Sequence, residues 1–449
     1  MKRIVAVITA VSLLFCLGAC GKKNDADKTD AKSEGSVYFL NFKPEIADIY
    51  KEIAQKYKEE TGVDVKVVTA ASNTYETTLK SEIAKSEPPT IFQINGPVGY
   101  EVWKNYCLDL SDTKLYSYLS DKDLAVKNED GVFGIPYVVE GYGIIYNNAI
   151  MEKYFALDDK AVSITSADEI RNFETFKSVV EDMTKHKAQL GIDGVFAATS
   201  MGTGEQWRWT THLASVPMYY EMKDASDKST IVSALDAKNV NFTYSDNFKN
   251  IFDLYINNST TEKGLLSGKS VENSMAEFAL GKAAMVQNGN WAWKQIADVN
   301  GNTVKAEDVK YMPIYTGIGG EEKQGLCVGT ENYLSINKKA SEADRKASIA
   351  FLEWLFSSET GKKYVTEKLD FIAPFSTFSE EERPEDPLAR EILSWMDGNA
   401  ETLEWTFNSF PSQQFKDDFG NAMLEYVQGT KNWAHVKQTF TDNWKAERS

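Results

Sequence analysis

Residues 131–148, GVFGIPYVVEGYGIIYNN, set one carboxylate, Glu140, inside an otherwise apolar and aromatic run bracketed by glycines. Short runs rich in β-branched and aromatic residues form strands. This one divides into two, 133–139 and 142–146. Glycines around the acid let the chain bend there or let another group approach closely. A charge within such a run is costly unless it is paired or wet. The run therefore reads either as a strand pair crossing between two lobes, with Glu140 facing the cleft, or as a hairpin with Glu140 at an exposed turn. The rest of the chain favours the crossing.

A chain of 449 residues is too long for one compact core and predicts two lobes. Its 42% apolar and 26% charged residues are ordinary for a soluble globular protein. A net charge of −17 argues against nucleic acid and against a polyanionic ligand. Outside the leader the cysteines are Cys107 and Cys327, with no CxxC spacing; they form either one bridge or two buried thiols.

The leader itself begins with Lys2 and Arg3. Residues 4–17 follow, apolar except for Thr9, Ser12 and Cys16. This is the pattern of a secretory signal, too short for a spanning helix. Its end, Leu17-Gly18-Ala19-Cys20, resembles the lipobox of bacterial lipoproteins. That resemblance implies a signal peptide over 1–19 and a diacylglyceryl thioether on Cys20, holding the protein at the outer face of the cytoplasmic membrane. Residues 20–36 are polar without hydrophobic period and predict a flexible tether.

In the body, a strand over 37–40 leads to a helix with Ile46, Ile49, Ile53, Ala54 and Tyr57 at helical spacing, ended by Thr61-Gly62. Strands over 63–68 and 91–94 enclose a helix over 75–86. Such alternation predicts an α/β lobe with a largely parallel sheet, whose ligands bind beyond the carboxyl ends of strands. Those ends carry Asn41, Lys43, Asn95 and Gly96, although Asn95-Gly96 reads equally as a plain turn. Further on, Glu205, Trp207 and Trp209 lie in a glycine-rich loop that is either a flat stacking platform or the start of a core-packed helix. Residues 281–293, GKAAMVQNGNWAW, read as a small-residue strand, a tight turn and a second crossover candidate. From 340 onward the chain is mostly helical.

Taken in order, several blocks resemble the extracellular solute-binding proteins of bacterial ABC importers, and within them the carbohydrate-binding group similar to maltodextrin-type proteins. The blocks are PYVVEGYGIIYNNAI (136–150), FALGKAAMVQNGNWAW (278–293), VGTENYLSINKKAS (328–341) and FLEWLFSSETGKKYV (351–365). The resemblance implies an α/β, two-lobed clamp of the periplasmic-binding-protein type. Each lobe would be a mostly parallel sheet flanked by helices, and the lobes would close on a sugar by hinge rotation. Lobe 1 is expected over 37–143 plus 290–337, and lobe 2 over 144–289 plus 338–449. Carried over by block, Glu140 would contact sugar hydroxyls and Trp291 would stack on a sugar ring; Glu205 to Trp209 correspond loosely to an acidic, aromatic loop. Where maltodextrin members carry charged and aromatic residues, this chain has Gln-Ile-Asn-Gly-Pro (93–97), which puts maltodextrin itself in doubt.

These residue types suit a sugar. Directional acceptors and donors such as Glu140, Asn95, Asn290 and Glu331 match ring-edge hydroxyls. Aromatic faces such as Trp291, Trp207 and Tyr333 cover C–H surfaces and exclude water. Tyr142, Asn332 and Phe375 complete the expected ligand-binding set. The expected partners are a carbohydrate, the permease subunits of an importer and, through Cys20, the membrane; the protein is expected to be a monomer with no cofactor, metal or nucleic acid. The alternative is a secreted glycoside hydrolase pairing Glu140 with a second carboxylate. No HExxH or GxSxG occurs, and residues 264–270 fall one short of a phosphate loop.

Overall fold

The computed structural model describes residues 35–449 apart from 72, 73 and 227. The signal segment, Cys20 and all but the end of the tether lie outside the described residues. Ser36, placed in the tether, is bound: its backbone N–H donates to Asp344 Oδ1 at 2.7 Å.

Among the described residues, twelve strands build two six-stranded sheets. In chain order they are β1 (Val37–Asn41), β2 (Val65–Thr69), β3 (Ile91–Asn95), β4 (Val126–Asn128), β5 (Gly131–Pro136), β6 (Glu140–Asn147), β7 (Gly194–Phe196), β8 (Ala283–Gly289), β9 (Val309–Met312), β10 (Gln324–Gly329), β11 (Asn332–Ile336) and β12 (Glu401–Leu403). The first sheet runs β2-β1-β3-β11-β5-β4. The second runs β12-β10-β6-β8-β7, with β9 also paired to β6.

Alternating residues of one strand enter opposite cores, because successive side chains point to opposite faces. Val37 and Phe39 join one core of the first sheet, and Leu40 joins the other. Tyr142, Ile144 and Tyr146 pack on one face of the second sheet, and Ile145 on the other. With helices on both faces, every residue of β1 and β6 is buried. Gly141 is required where the helix Pro387–Asp397 crosses β6: a Cβ there would lie 2.4 Å from Ile392 Cδ1.

The two-lobed α/β arrangement is as expected, but each sheet is mixed rather than mostly parallel. The pairs β1–β2, β1–β3, β7–β8 and β10–β12 are parallel; β3–β11, β5–β11, β6–β8, β6–β9 and β6–β10 are antiparallel. Each of these antiparallel pairs includes a strand that flanks a point where the chain changes sheets. One crossing runs from β5 to β6 through residues 137–139, and a second from β10 to β11 through 330–331. A third lies between the helix Glu359–Glu367, which packs on the first sheet, and the helix Pro387–Asp397, which packs on the second. The three run side by side: Gly329 pairs with Glu140, and Val139 with Ile372.

Residues 281–293 are therefore not a crossover. β8 stays paired to β6 over five residues, after which Asn290 bonds to Gly141 and the chain enters the helix Ala292–Ala297 on the same lobe. The expected division of the chain shifts accordingly. Residues 290–329 stay with the second sheet, and the helices Glu342–Ser357 and Glu359–Glu367 return their apolar faces, including Phe351, Leu355 and Val365, to the first. Cys107 and Cys327 are separate buried thiols.

Candidate functional site

The crossings bring the two sheets together at Glu140. Beyond the carboxyl end of β1, Asn41 closes a tight turn: its Oδ1 accepts from the backbone N–H of Lys43 at 3.1 Å and its Nδ2 donates to Lys43 O at 2.7 Å. The turn aims Lys43 away from the first sheet, and its Nζ lies 2.6 Å from Glu140 Oε1 and 3.7 Å from Glu45. Both partners of the close pair are buried, at 6% and 5% exposure. Burial works against the charge on Lys43, and Glu140 and Glu45 overcome it, raising its pKa. For Glu140, burial raises the carboxyl further than Lys43 lowers it.

Next to this pair stands a cluster of rings on the second lobe. The Trp291 indole folds flat onto its own strand end, where a Cβ on Gly289 would lie 2.1 Å from the ring. Trp405 lies in the same way on Gly329, 2.7 Å from the position of a Cβ. His212 is the hub. It stacks on Tyr142 at 4.2 Å between centroids and 13° between planes, and meets Trp207 at 4.9 Å, Trp291 at 5.4 Å and Phe407 at 5.4 Å. Burial, with Arg208 and Lys416 nearby, drives the His212 pKa well down, so the hub is a neutral imidazole. Trp207 and Trp291 are 6.3 Å apart, and Lys43 Nζ is 5.8 Å from the centre of the Trp291 ring. His212 belongs to a π-helical turn, Arg208–Leu213; such turns re-aim side chains that an α-helix would spread around its axis.

Beside the rings, the lobes meet again. A Cβ on Gly96, at the start of the helix Gly96–Trp103, would lie 3.6 Å from Asn408 of the second lobe, and Asn408 Nδ2 donates to Thr330 O in the second crossing at 2.8 Å. Half-buried Glu331 and Lys416 also face this region. Burial raises the carboxyl of Glu331 against the pull of Lys416, and lowers the ammonium of Lys416 against the pull of Glu331 and Glu76.

The structure thus brings together Lys43, Glu140, Tyr142, Trp207 and Trp291. Asn41 and Asn290 support them; Asn290 Oδ1 accepts from the N–H of Gly141 at 2.9 Å. Asn95 and Asn332 are partners across the β3–β11 ladder, beside Gly96 and Glu331. The other expected residues are placed elsewhere. Trp209 is core, donating through Nε1 to Ser200 O at 2.8 Å and packing edge-on against Phe252 and Tyr255. Tyr333 is buried in a core of the first sheet, and Phe375 packs on Phe356 at 4.6 Å in the other. Glu205 accepts from the N–H of Val271 at 3.0 Å, at the head of the helix Val271–Ala279, where a carboxylate suits the unpaired donors. His212, Trp405, Phe407, Asn408 and Lys416 were not among the expected residues. Gly289 two residues before Trp291 signals a ring lying on backbone, but Gly329 and Trp405 are too far apart in sequence for such a signal.

Among the described residues no group of acids, histidines or cysteines is arranged to hold a metal, and no helix is long and apolar enough to cross a membrane.

Two α/β lobes joined by three crossings, with a ring-lined polar site at the junction, define the two-lobed class of binding proteins. Residues 52–391 match the family model described as bacterial extracellular solute-binding protein, and the chain belongs to that family. No curated protein matches it. Among solved structures, a chitin oligosaccharide binding protein is similar at 17% identity and a TM-score of 0.69, over 92% of this chain and 98% of that one. The solute-binding protein RafE in complex with raffinose has 17% identity and a TM-score of 0.68, over 92% and 100%. A sugar transporter protein from Bacillus licheniformis in complex with stachyose has 17% identity and a TM-score of 0.66, over 92% and 99%. At these identities the likeness is one of fold.

Proposed function

We propose that this protein captures a carbohydrate, an oligosaccharide in particular, at the junction of its lobes and delivers it to the permease of an ABC importer. It works as a lipid-anchored monomer at the outer face of the cytoplasmic membrane, held through Cys20. The observation that carries the reading is the ring cluster of Trp207, Trp291 and His212 set against the Lys43–Glu140 pair. Flat rings cover the C–H faces of a pyranose, while an ammonium and a carboxylate serve its hydroxyls. The proteins named above as bound to raffinose and stachyose, or as chitin oligosaccharide binding, support a sugar as the solute class.

The chain does no chemistry on its ligand. A retaining or inverting hydrolase needs two carboxyl groups free to act at about 5–10 Å, whereas Glu140 is engaged by Lys43 at 2.6 Å. Calorimetry over a panel of neutral and acidic oligosaccharides tests the reading. It expects at least one glycan to bind near micromolar, about −8 kcal/mol, with no new reducing ends on prolonged incubation. Absence of binding to every glycan, or steady release of reducing ends, contradicts it.

A further inference from the structure

Behind the ring cluster lies a charge without a partner. Arg208 is fully buried, and its Nη2 donates to Ser274 Oγ at 3.0 Å. Its Nε and Nη1 reach no acceptor among the described residues. Glu205, the acid closest along the chain, is bound to the N–H of Val271. The guanidinium carbon sits 5.5 Å from the centre of the Trp207 ring, directly behind the wall of the site. Burial pulls the Arg208 pKa down to about 10, which still leaves it charged at neutral pH.

A second unsatisfied group stands on β8. Gln287 is buried, and both its Nε2 and Oε1 lack partners. Its backbone N–H donates to Tyr255 Oη at 2.9 Å, and Tyr255 lies within the electrostatic reach of Arg208. Side chains two apart on a strand share a face, so Gln287 shares the face of β8 on which Gly289 receives the Trp291 ring. Buried polar groups are almost always hydrogen-bonded, and a buried unpaired guanidinium is strongly destabilising. Two such side chains, Arg208 behind Trp207 and Gln287 on the β8 face that carries Trp291, mark a place where a partner is supplied from outside the chain. The partner must be an acceptor carrying negative charge, since Arg offers only donors.

We propose that Arg208, assisted by the Gln287 amide, forms an inner subsite for the carboxylate of an acidic sugar, so that the ligand is an oligosaccharide bearing a uronic or sialic acid residue. This rests on the carbohydrate reading above. The rings hold the sugar faces, and the proposal requires the Trp207 indole, 5.5 Å from the guanidinium carbon, to turn aside to admit the carboxylate. The net charge of the protein repels a highly charged polyanion, so the subsite suits one carboxylate on an otherwise uncharged glycan.

The test is calorimetry on the full-length protein with xylo-oligosaccharides bearing a single glucuronate and with sialyllactose, each beside its methyl ester. The acid form of at least one is expected to bind tenfold or more tightly than its ester, and R208M to abolish that difference. Equal affinity for acid and ester, or binding of neutral glycans alone, overturns the acidic subsite and leaves the carbohydrate reading standing. No binding of either form of any glycan overturns both. The acid–ester comparison on the unmodified protein decides the matter even if R208M fails to fold. With a folded R208M, a preference for the acid that survives the substitution shows that Arg208 is not its source and overturns the assignment.

Discussion

The ammonium of Lys43 lies 2.6 Å from the carboxylate of Glu140, joining the turn after β1 on the first lobe to the first residue of β6 on the second. Both groups are withdrawn from water where the chain changes sheets, beside the Trp291 ring. The contact thus lies both where the chain changes sheets and within the candidate site.

Removing one partner leaves the other buried and unpaired. K43M is expected to destabilise the protein by about 3–5 kcal/mol, and K43M/E140Q by clearly less, because the double change removes both charges. Urea unfolding of the single and double variants measures this. Additive losses would mean that the two groups do not act as a pair.

Trp291 is held flat by Gly289. W291A is expected to weaken ligand binding by about 2 kcal/mol, roughly thirtyfold, with the fold intact. G289A should cost comparable affinity although Trp291 is still present, since the added Cβ would meet the indole at 2.1 Å. Calorimetry with the preferred glycan compares the two variants with the wild type.

Trp209 and Phe375 are core residues on opposite lobes. W209A and F375A are each expected to lose about 3–5 kcal/mol of stability. At a temperature where the variants remain folded, the order of preference among glycans should be unchanged. A change of preference in W209A would return that ring to the binding surface.

Asp386 caps the helix Pro387–Asp397, accepting from the N–H of Ala389 at 2.8 Å. Burial nonetheless pushes its carboxyl up to about 7, against 3.8 in the unfolded chain. Between those values the folded protein holds a proton that the unfolded chain has released. This group's contribution is therefore fully favourable below pH 4 and is lost as pH rises towards 7, by up to about 1.4 kcal/mol per unit. D386N keeps a capping side chain and should remove that slope, as read from unfolding midpoints of the two proteins between pH 4 and 7.

The two-lobed fold and the first crossing were legible because their signals are local. Strand and helix periods show within ten residues, and Gly289 and Trp291 are two apart. What was not legible came from long range. The second crossing at residues 330–331 joins two strands only two residues apart, and only pairing to β6 and β3 separates them. His212 belongs to no sequence motif, and only the π-helical turn places it against Tyr142. Trp209, Tyr333 and Phe375 have the composition of a sugar platform, yet the direction in which a ring points depends on the face of its element. Trp405 and Phe407 came from a stretch with no period at all and reach the site only because β12 pairs with β10.

The central claim is that a sugar occupies the space bounded by Trp291 and Glu140. A crystal structure with the tightest-binding oligosaccharide tests it directly. The account predicts a pyranose ring stacked on the Trp291 indole with a hydroxyl about 3 Å from Glu140 or Lys43. A bound glycan elsewhere on the molecule, touching neither Trp291 nor the Lys43–Glu140 pair, would contradict it.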